Sequence, residues 1–434
     1  MQITIHRGTH EIGGNCIEIQ SGSSRIILDV GMPLFDENRQ PHDTSALRKK
    51  SASDLTQAGI LPQVPGVFLE GPRPNAVLIS HAHEDHTGLI RHLQPGFPIC
   101  ASKGTSKMMD AGSRFAKQPY LPRDRFQELK PEEPTSIGEF KITPFNVDHS
   151  IHGAMAFLIE AAGKTVLYSG DLRLHGRKPD MTNRLLEALR ERTIDVMLME
   201  GTHINHPNKA GATEFELEEK IVKHVKDATS LVLASFSPQH VGRLETFLQA
   251  AKRTGRIFVA DAYTAYVLYL VSPDTNVPKP VETEGIQVFF PKFYQEGSQR
   301  EKLANAFANI APKFIGMNEL RANPAKYLMV FRPSMLESDF GNELPPQSLC
   351  LYSRWHGYLD REDWQPVKES VKRAGGELVE DAHTSGHIFA KDIITLVNAI
   401  APRQIVPIHT FEPQNFQTHF PNVRRLNDGE PFEV

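Results

Sequence analysis

Three histidines and two carboxylates fall within six consecutive positions, His81-Ala82-His83-Glu84-Asp85-His86. The apolar run Ala76-Val77-Leu78-Ile79 just before them reads as a short buried strand, and the cluster as the tight loop leaving its end. Imidazole nitrogen and carboxylate oxygen together suit zinc and its first-row neighbours. The His-x-His-x-Asp-His spacing lets His81 and His83 reach one metal while Asp85 and His86 reach a second. Glu84 reads as a residue at a helix start, ahead of a helical segment from Thr87 to Gln94, and not as a ligand.

A two-metal site needs more ligands than one loop can offer, and the chain supplies them at further strand ends. His149 closes Phe145-Asn146-Val147-Asp148-His149, after the strand-like Lys141-Ile142-Thr143-Pro144. Asp171 lies just beyond Thr165-Val166-Leu167-Tyr168, with Gly170 permitting a sharp turn. His409 ends the run Gln404-Ile405-Val406-Pro407-Ile408. The resulting set is His81, His83 and His149 on one side and Asp85, His86 and His409 on the other, with Asp171 between them. Asp29, after Arg25-Ile26-Ile27-Leu28, is placed to brace the ligands.

These residues carry a family resemblance. The order HxHxDH, His, Asp after an apolar strand and a late His resembles the metallo-β-lactamase fold hydrolases. Met197-Leu198-Met199-Glu200-Gly201-Thr202 resembles motif A of the β-CASP subgroup, His383-Thr384-Ser385-Gly386-His387 its motif B, and Pro407-Ile408-His409 its motif C. That subgroup contains nucleases such as RNase J, Artemis and the endonuclease of the cleavage and polyadenylation factor. The resemblance runs from about Ile3 to Phe411. It implies a metallo-β-lactamase αββα sandwich with an inserted β-CASP α/β cap built on a parallel sheet, and nucleic acid held in the cleft between them.

Chain organisation agrees with an insertion. Short strands with turn signals fill the first part, including a hairpin of Ala156–Ile159 with Thr165–Tyr168 around Gly163-Lys164. Gly163-Lys164-Thr165 ends like a phosphate-binding loop, yet Leu158 stands where that motif needs its first glycine. From about Ile204 helix and strand alternate, which predicts a parallel sheet covered by helices. The expected boundaries are 1–203 and 377–434 for the metallo-β-lactamase domain and 204–376 for the cap. No expected metal ligand falls inside the cap. The polar stretch from Asp36 to Pro74 is too long for an ordinary connector, and a substrate lid and a solvated excursion both remain open.

The resemblance implies two Zn2+ ions, or Mn2+ in their place, and a water-activated phosphodiester hydrolysis. Asp85 would orient the nucleophile as well as bind metal. His387 would be the general acid toward the leaving 3′-oxygen, with Glu200 fixing its tautomer. His383, Ser385 and Gly386 are expected at the start of a helix from about Ile388 to Ile400, where backbone N–H groups would hold a substrate phosphate. Phe236, Gln239, His240 and Arg243 lie at a strand-to-helix junction, and Arg243 is expected to touch phosphate. Trp355 and Tyr358 could stack bases or pack in the core.

In the β-CASP resemblance, histidine at motif C implies RNA over DNA; the expected substrate is single-stranded RNA, cleaved endonucleolytically, from the 5′ end, or both. A DNA nuclease or repair factor would use the same chemistry. A small-molecule metallo-hydrolase is opposed by the cap and motifs A and B, and a silent scaffold by the intact ligand set. The 434 residues carry 48 Lys and Arg against 52 Asp and Glu, so no strong basic tail supports tight duplex binding. Three scattered cysteines, a non-cleavable-looking N-terminus and no long apolar run fit a cytoplasmic protein without a membrane span. The chain stops at Val434, soon after motif C, with no room for the extra C-terminal domain of RNase J, so assembly through that domain cannot be inferred and the oligomeric state stays open.

Overall fold

Alternating apolar residues in the first strands put one face of each toward a shared core, and two mixed sheets result. The computed structural model describes residues 1–206, 211–280, 283–295, 303, 307 and 313–434. The chain divides into Met1–Ala210 with Gly386–Val434, and Gly211–Ser385. These breaks fall at 210/211 and 385/386, later than the expected 203/204 and 376/377. The second shift has a clear cause: Glu377–Val379 forms an edge strand of the inserted sheet.

In the first unit, one sheet joins β1 (Gln2–Arg7), β2 (Cys16–Ser21), β3 (Ser24–Leu28), β4 (Ala76–Ile79), β5 (Ile99–Ala101) and β6 (Phe126–Glu128). The other joins β7 (Thr135–Ile137), β8 (Phe140–Asn146), β9 (Met155–Ala161), β10 (Lys164–Tyr168) and β11 (Val196–Glu200). Each sheet is antiparallel in its early strands and parallel in its later ones. The β9–β10 turn places Ala162 and Gly163 both at positive φ, the geometry that matches strand twist in a two-residue hairpin.

In the second unit, β12 (Val232–Ser235), β13 (Ile257–Asp261), β14 (Ile286–Phe289), β15 (Tyr327–Val330), β16 (Leu349–Tyr352) and β17 (Glu377–Val379) form a wholly parallel sheet. Its order is β14-β13-β15-β12-β16-β17. Two further strands then complete the first unit: β18 (Gln404–Ile408) beside β11, and β19 (Pro431–Glu433) beside β1.

The two sheets of the first unit share one core. Ile3, Ile17 and Leu78 from one meet Phe157, Tyr168 and Leu198 from the other. The outer face of the second sheet is covered by helices Pro179–Leu189 and Ala390–Ile400, through Leu185, Leu189, Ile393 and Val397. This is the α/β sandwich that the motifs imply. The 36–74 stretch is packed against the unit. It contains helices Thr44–Leu47 and Ala52–Gln57, buries Leu55, Val64 and Val67, and is tied by Arg7 to Ile60 O and by Arg25 to Pro72 O. Among the described residues no helix is long and apolar enough to cross a membrane.

Candidate metal centre

Strand direction decides where side chains can meet. β3, β4, β8, β10 and β18 each end in a loop that carries a residue of the candidate site, so Asp29, His81, His149, Asp171 and His409 follow strand C-termini, and Glu200 is the last residue of β11. Open sheets collect ligands at that edge. The 81–88 loop is fastened there by the backbone: Val30 N donates to His86 O, Met32 N to Glu84 O and Asn15 N to Asp85 O. A Cβ on Gly31 would stand 1.7 Å from Asp85 O, so only glycine permits this approach.

All seven expected metal ligands converge. His81 Nε2 and His149 Nε2 each lie 3.1 Å from His83 Nδ1. His409 Nε2 lies 3.2 Å from Asp85 Oδ2. Asp171 Oδ2 is the common neighbour, 3.2 Å from His86 Nε2, 3.6 Å from His409 Nε2, 3.7 Å from His81 Nε2 and 3.8 Å from His149 Nε2. Two groups have ligand atoms close enough to share an ion: His81, His83 and His149, and Asp85, His86, Asp171 and His409.

The ionisation of the first group suits a cation, whereas in the second, despite burial, Asp171 and Asp29 raise His86 well above the imidazole range, so an ion there would have to displace its proton. Burial drives His81 and His149 far below the usual imidazole range, and His83 down to about 4, leaving neutral rings that can ligate. Burial opposes the charge on Asp85, but His86 and His409 hold it down at about 2; Asp171 is likewise held well below the carboxylate range by His409 and His86. Both oxygens of Asp171 and Nε2 of His86 are buried without an aligned hydrogen bond. Buried polar atoms are rarely left so, and here they face one another across a place for cations. The residues fit a divalent pair.

The supports are equally specific. Asp29 sits at φ 58°, a left-handed conformation that aspartate tolerates better than most residues. Its Oδ1 accepts from Ser80 N at 2.7 Å, and its Oδ2 from Ser80 Oγ at 2.7 Å, Tyr168 OH at 2.6 Å and His86 Nδ1 at 2.7 Å. That last contact aims His86 Nε2 at Asp171. Tyr168 is a supporting residue that sequence reading missed; its partner is 139 positions away. His149 is aimed in the same way, its Nδ1 donating to Gly386 O at 2.6 Å. His409, also left-handed at φ 51°, is held by Thr202 Oγ1 at 2.9 Å from its Nδ1.

His387 stands at the rim, with Nδ1 3.3 Å from both oxygens of Glu200 and 3.7 Å from Asp171 Oδ2. Burial disfavours its charge, but Glu200 and Asp171 raise its pKa to about 9. Glu200 is fully buried and also accepts from Leu172 N and Thr202 Oγ1. Asp171, Glu200, His387 and His409 form a third group of possible ligands, overlapping the second. Glu84 is no ligand: it starts the short helix Glu84–Thr87 and pairs with Arg48 at 3.0 Å. That helix begins earlier than the expected Thr87–Gln94 and is followed by a single 3-10 turn, Ile90–His92.

The expected phosphate contacts need correcting. The helix after motif B starts at Ala390 with Phe389 as its cap, so His383, Ser385 and Gly386 do not form a helix N-terminus. Gly386 instead braces His149, and a Cβ there would meet Ser150 Oγ at 2.2 Å. Burial, with the charge of Arg243, pushes His383 down to about 3, leaving it neutral toward an anion. Arg243 is fully buried. Its Nε and Nη2 pair with Glu214 at 3.1 and 2.8 Å, and it also donates to Ser353 Oγ and Thr384 O. It is an internal clasp, not a phosphate ligand.

Comparison with known proteins agrees with this architecture. Residues 54–234 match the model of the β-lactamase superfamily domain. Ribonuclease J of Mycolicibacterium smegmatis is 24% identical over 94% of this chain and 68% of that protein. Ribonuclease J of Pyrococcus abyssi is 22% identical over 93% of this chain and 88% of that protein. A crystal structure of a protein of unknown function from Enterococcus faecalis V583 superposes with a TM-score of 0.78 at 22% identity, covering 99% of each chain. Together with the ordered ligand motifs and the sandwich that gathers them, these matches support a metallo-β-lactamase/β-CASP protein similar to ribonuclease J.

Proposed function

We propose that this chain is a metal-dependent ribonuclease that hydrolyses phosphodiester bonds of single-stranded RNA with two zinc ions, or manganese in their place. The observation that carries the reading is Asp171 Oδ2, within 4 Å of imidazole nitrogens from both ligand groups. His81, His83 and His149 would hold one ion, and Asp85, His86 and His409 the other, with Asp171 facing both. Bound there, divalent cations would supply an activated water and offset the charge developing on the phosphate.

The chain's own residues supply the rest. Asp85 would orient the attacking water through its carboxylate. Glu200 engages Nδ1 of His387 and keeps the ring protonated near neutral pH. With Nδ1 turned to Glu200, Nε2 is the nitrogen that would hand a proton to the departing 3′-oxygen. Histidine at position 409, together with relatives named ribonuclease J, favours RNA over DNA.

The test is cleavage of matched single-stranded RNA and DNA oligonucleotides, labelled at either end, with zinc or manganese. The Asp85→Ala, His86→Ala double variant is the control for contaminating nuclease. RNA loss that vanishes in the variant supports the reading, and the label pattern gives the direction of attack. Preferred DNA loss, or none of either from protein shown to hold two metals, overturns it.

A further inference from the structure

The carboxyl edge of the parallel sheet in the second unit carries a cluster of arginines with fewer carboxylates than cations. Arg332 follows β15 and Arg354 follows β16, the two strands that flank β12. The ladder continues beyond the strands, Phe331 N donating to Ala234 O and Ser353 N to Ser235 O, so both arginines leave the sheet at the same level. Asp261, at the end of β13, takes Arg332 Nε at 2.5 Å. Arg332 Nη2 is nonetheless buried with no hydrogen-bond partner. Among the described residues neither Arg354 nor Arg361 forms an ion pair.

Aromatic faces hold these guanidiniums in place. Arg332 lies 5.2 Å from the ring centre of Tyr263, while Arg354 and Arg361 lie 5.9 and 4.2 Å from that of Tyr358. Cation–π contact positions a charge without cancelling it. Burial and the nearby charge of Arg332 depress the pKa of Arg354, as expected for a cation held out of water without a counter-ion. Trp355, edge-on to Tyr358 at 5.2 Å, is 46% exposed and so offers an indole surface beside the cations. Guanidinium groups with unused donors are matched by phosphate oxygens, and an exposed indole by a nucleobase. In open parallel sheets, ligands settle at this edge.

From this arrangement we propose that the second unit carries a nucleotide site of its own, in which Arg332, Arg354 and Arg361 hold two or more phosphates and Trp355 stacks the base. The site is built wholly from residues of that unit and uses none of the metal ligands. It would let a nucleoside diphosphate or triphosphate bind whether or not the metal centre is loaded.

Binding of ADP to the full chain, in excess chelator, tests this. The chain has two tryptophans, and Trp364 is buried, so quenching of exposed indole emission reports on Trp355. Saturable quenching is expected, unchanged in the Asp85→Ala, His86→Ala variant and weakened about tenfold or more by Arg354→Gln and by Arg361→Gln. Trp355→Phe, followed by calorimetry, should weaken ADP but leave pyrophosphate unaffected. If Arg354→Gln fails to fold, the exposed Arg361→Gln decides. Absence of ADP binding at millimolar concentration, indifference to the arginine substitutions, or loss of binding in the metal-site variant would each overturn the proposal. None of these outcomes depends on ribonuclease activity.

Discussion

Asp29→Asn isolates the charge that aims His86. Asparagine tolerates the left-handed backbone at φ 58° about as well as aspartate, so the substitution leaves the turn intact. The conflict lies in the hydrogen bonds. If the carboxamide oxygen takes the place of Oδ1 and accepts from Ser80 N, the NH2 group faces Ser80 Oγ, Tyr168 OH and His86 Nδ1. The hydroxyls can rotate to accept. The imidazole can accept only by moving its proton to Nε2, the nitrogen that must face the metal. If the carboxamide is flipped, its NH2 meets the Ser80 backbone N–H, two donors at 2.7 Å.

Either orientation leaves one buried donor opposed, a cost of about 1–3 kcal/mol. Loss of such a partner typically lowers metal affinity by about 10–100-fold. Zinc affinity measured by competition with a chromophoric chelator should fall by that factor, with the melting transition of the chelated protein nearly unchanged. Tyr168→Phe removes one donor but keeps the acceptor, and should cost about fivefold. Affinity within twofold of the parent in Asp29→Asn would refute the assignment of Asp29 as the residue that orients His86.

Further expectations follow from particular contacts. His387→Ala should lower turnover by about 10²–10⁴-fold while elemental analysis still finds the parental metal content; loss of one metal would make His387 a ligand instead. Arg243→Met, leaving buried Glu214 without its guanidinium, should destabilise the protein by about 3–5 kcal/mol in urea unfolding, and Arg243→Met with Glu214→Leu should recover much of it. Gly31→Ala should prevent metal loading, since a Cβ would meet Asp85 O at 1.7 Å; a normally loaded variant would contradict the packing of that loop. Glu18 is held down at about 2: burial works against its charge, but hydrogen bonds from His6 and Arg25 prevail. Its folded pKa lies below its ordinary value of 4.5, so its stabilisation is full above pH 4.5 and is lost as pH falls toward 2. After screening, Glu18→Gln should cost about 1–2 kcal/mol at pH 7 and almost nothing at pH 2.

Much of the site was legible because its signals are local. HxHxDH after an apolar strand needs only the residues from Ala76 to His86 to read, and Asp171 and His409 announce themselves at the ends of apolar runs. The parallel sheet of the second unit could likewise be read from alternating periodicities. The failures share a physical cause, namely partners remote in sequence. Arg243 reads as available cation until Glu214, 29 positions earlier, is seen to enclose it. Motif B reads as a helix start, but the chain stays irregular through Phe389 because Gly386 must reach His149, 237 positions away. The 36–74 stretch looks solvated by composition, and only the anchoring by Arg7 and Arg25 makes it a packed part of the unit.

The clasp around Arg243 also bears on how the chain assembles. Thr384 Oγ1 donates to Ala212 O at 2.6 Å, and Arg243 joins Glu214 near the start of the second unit to Thr384 at its end. Once folded, that unit presents its two chain ends side by side, so the path from β11 to β18 spans space as a short turn would. Closing a flexible loop as long as residues 211–385 instead of one of about five residues would cost about 3 kcal/mol more in chain entropy. In chain order His387 and His409 follow the insertion. The candidate ligand set is therefore complete only once the whole insertion has been made.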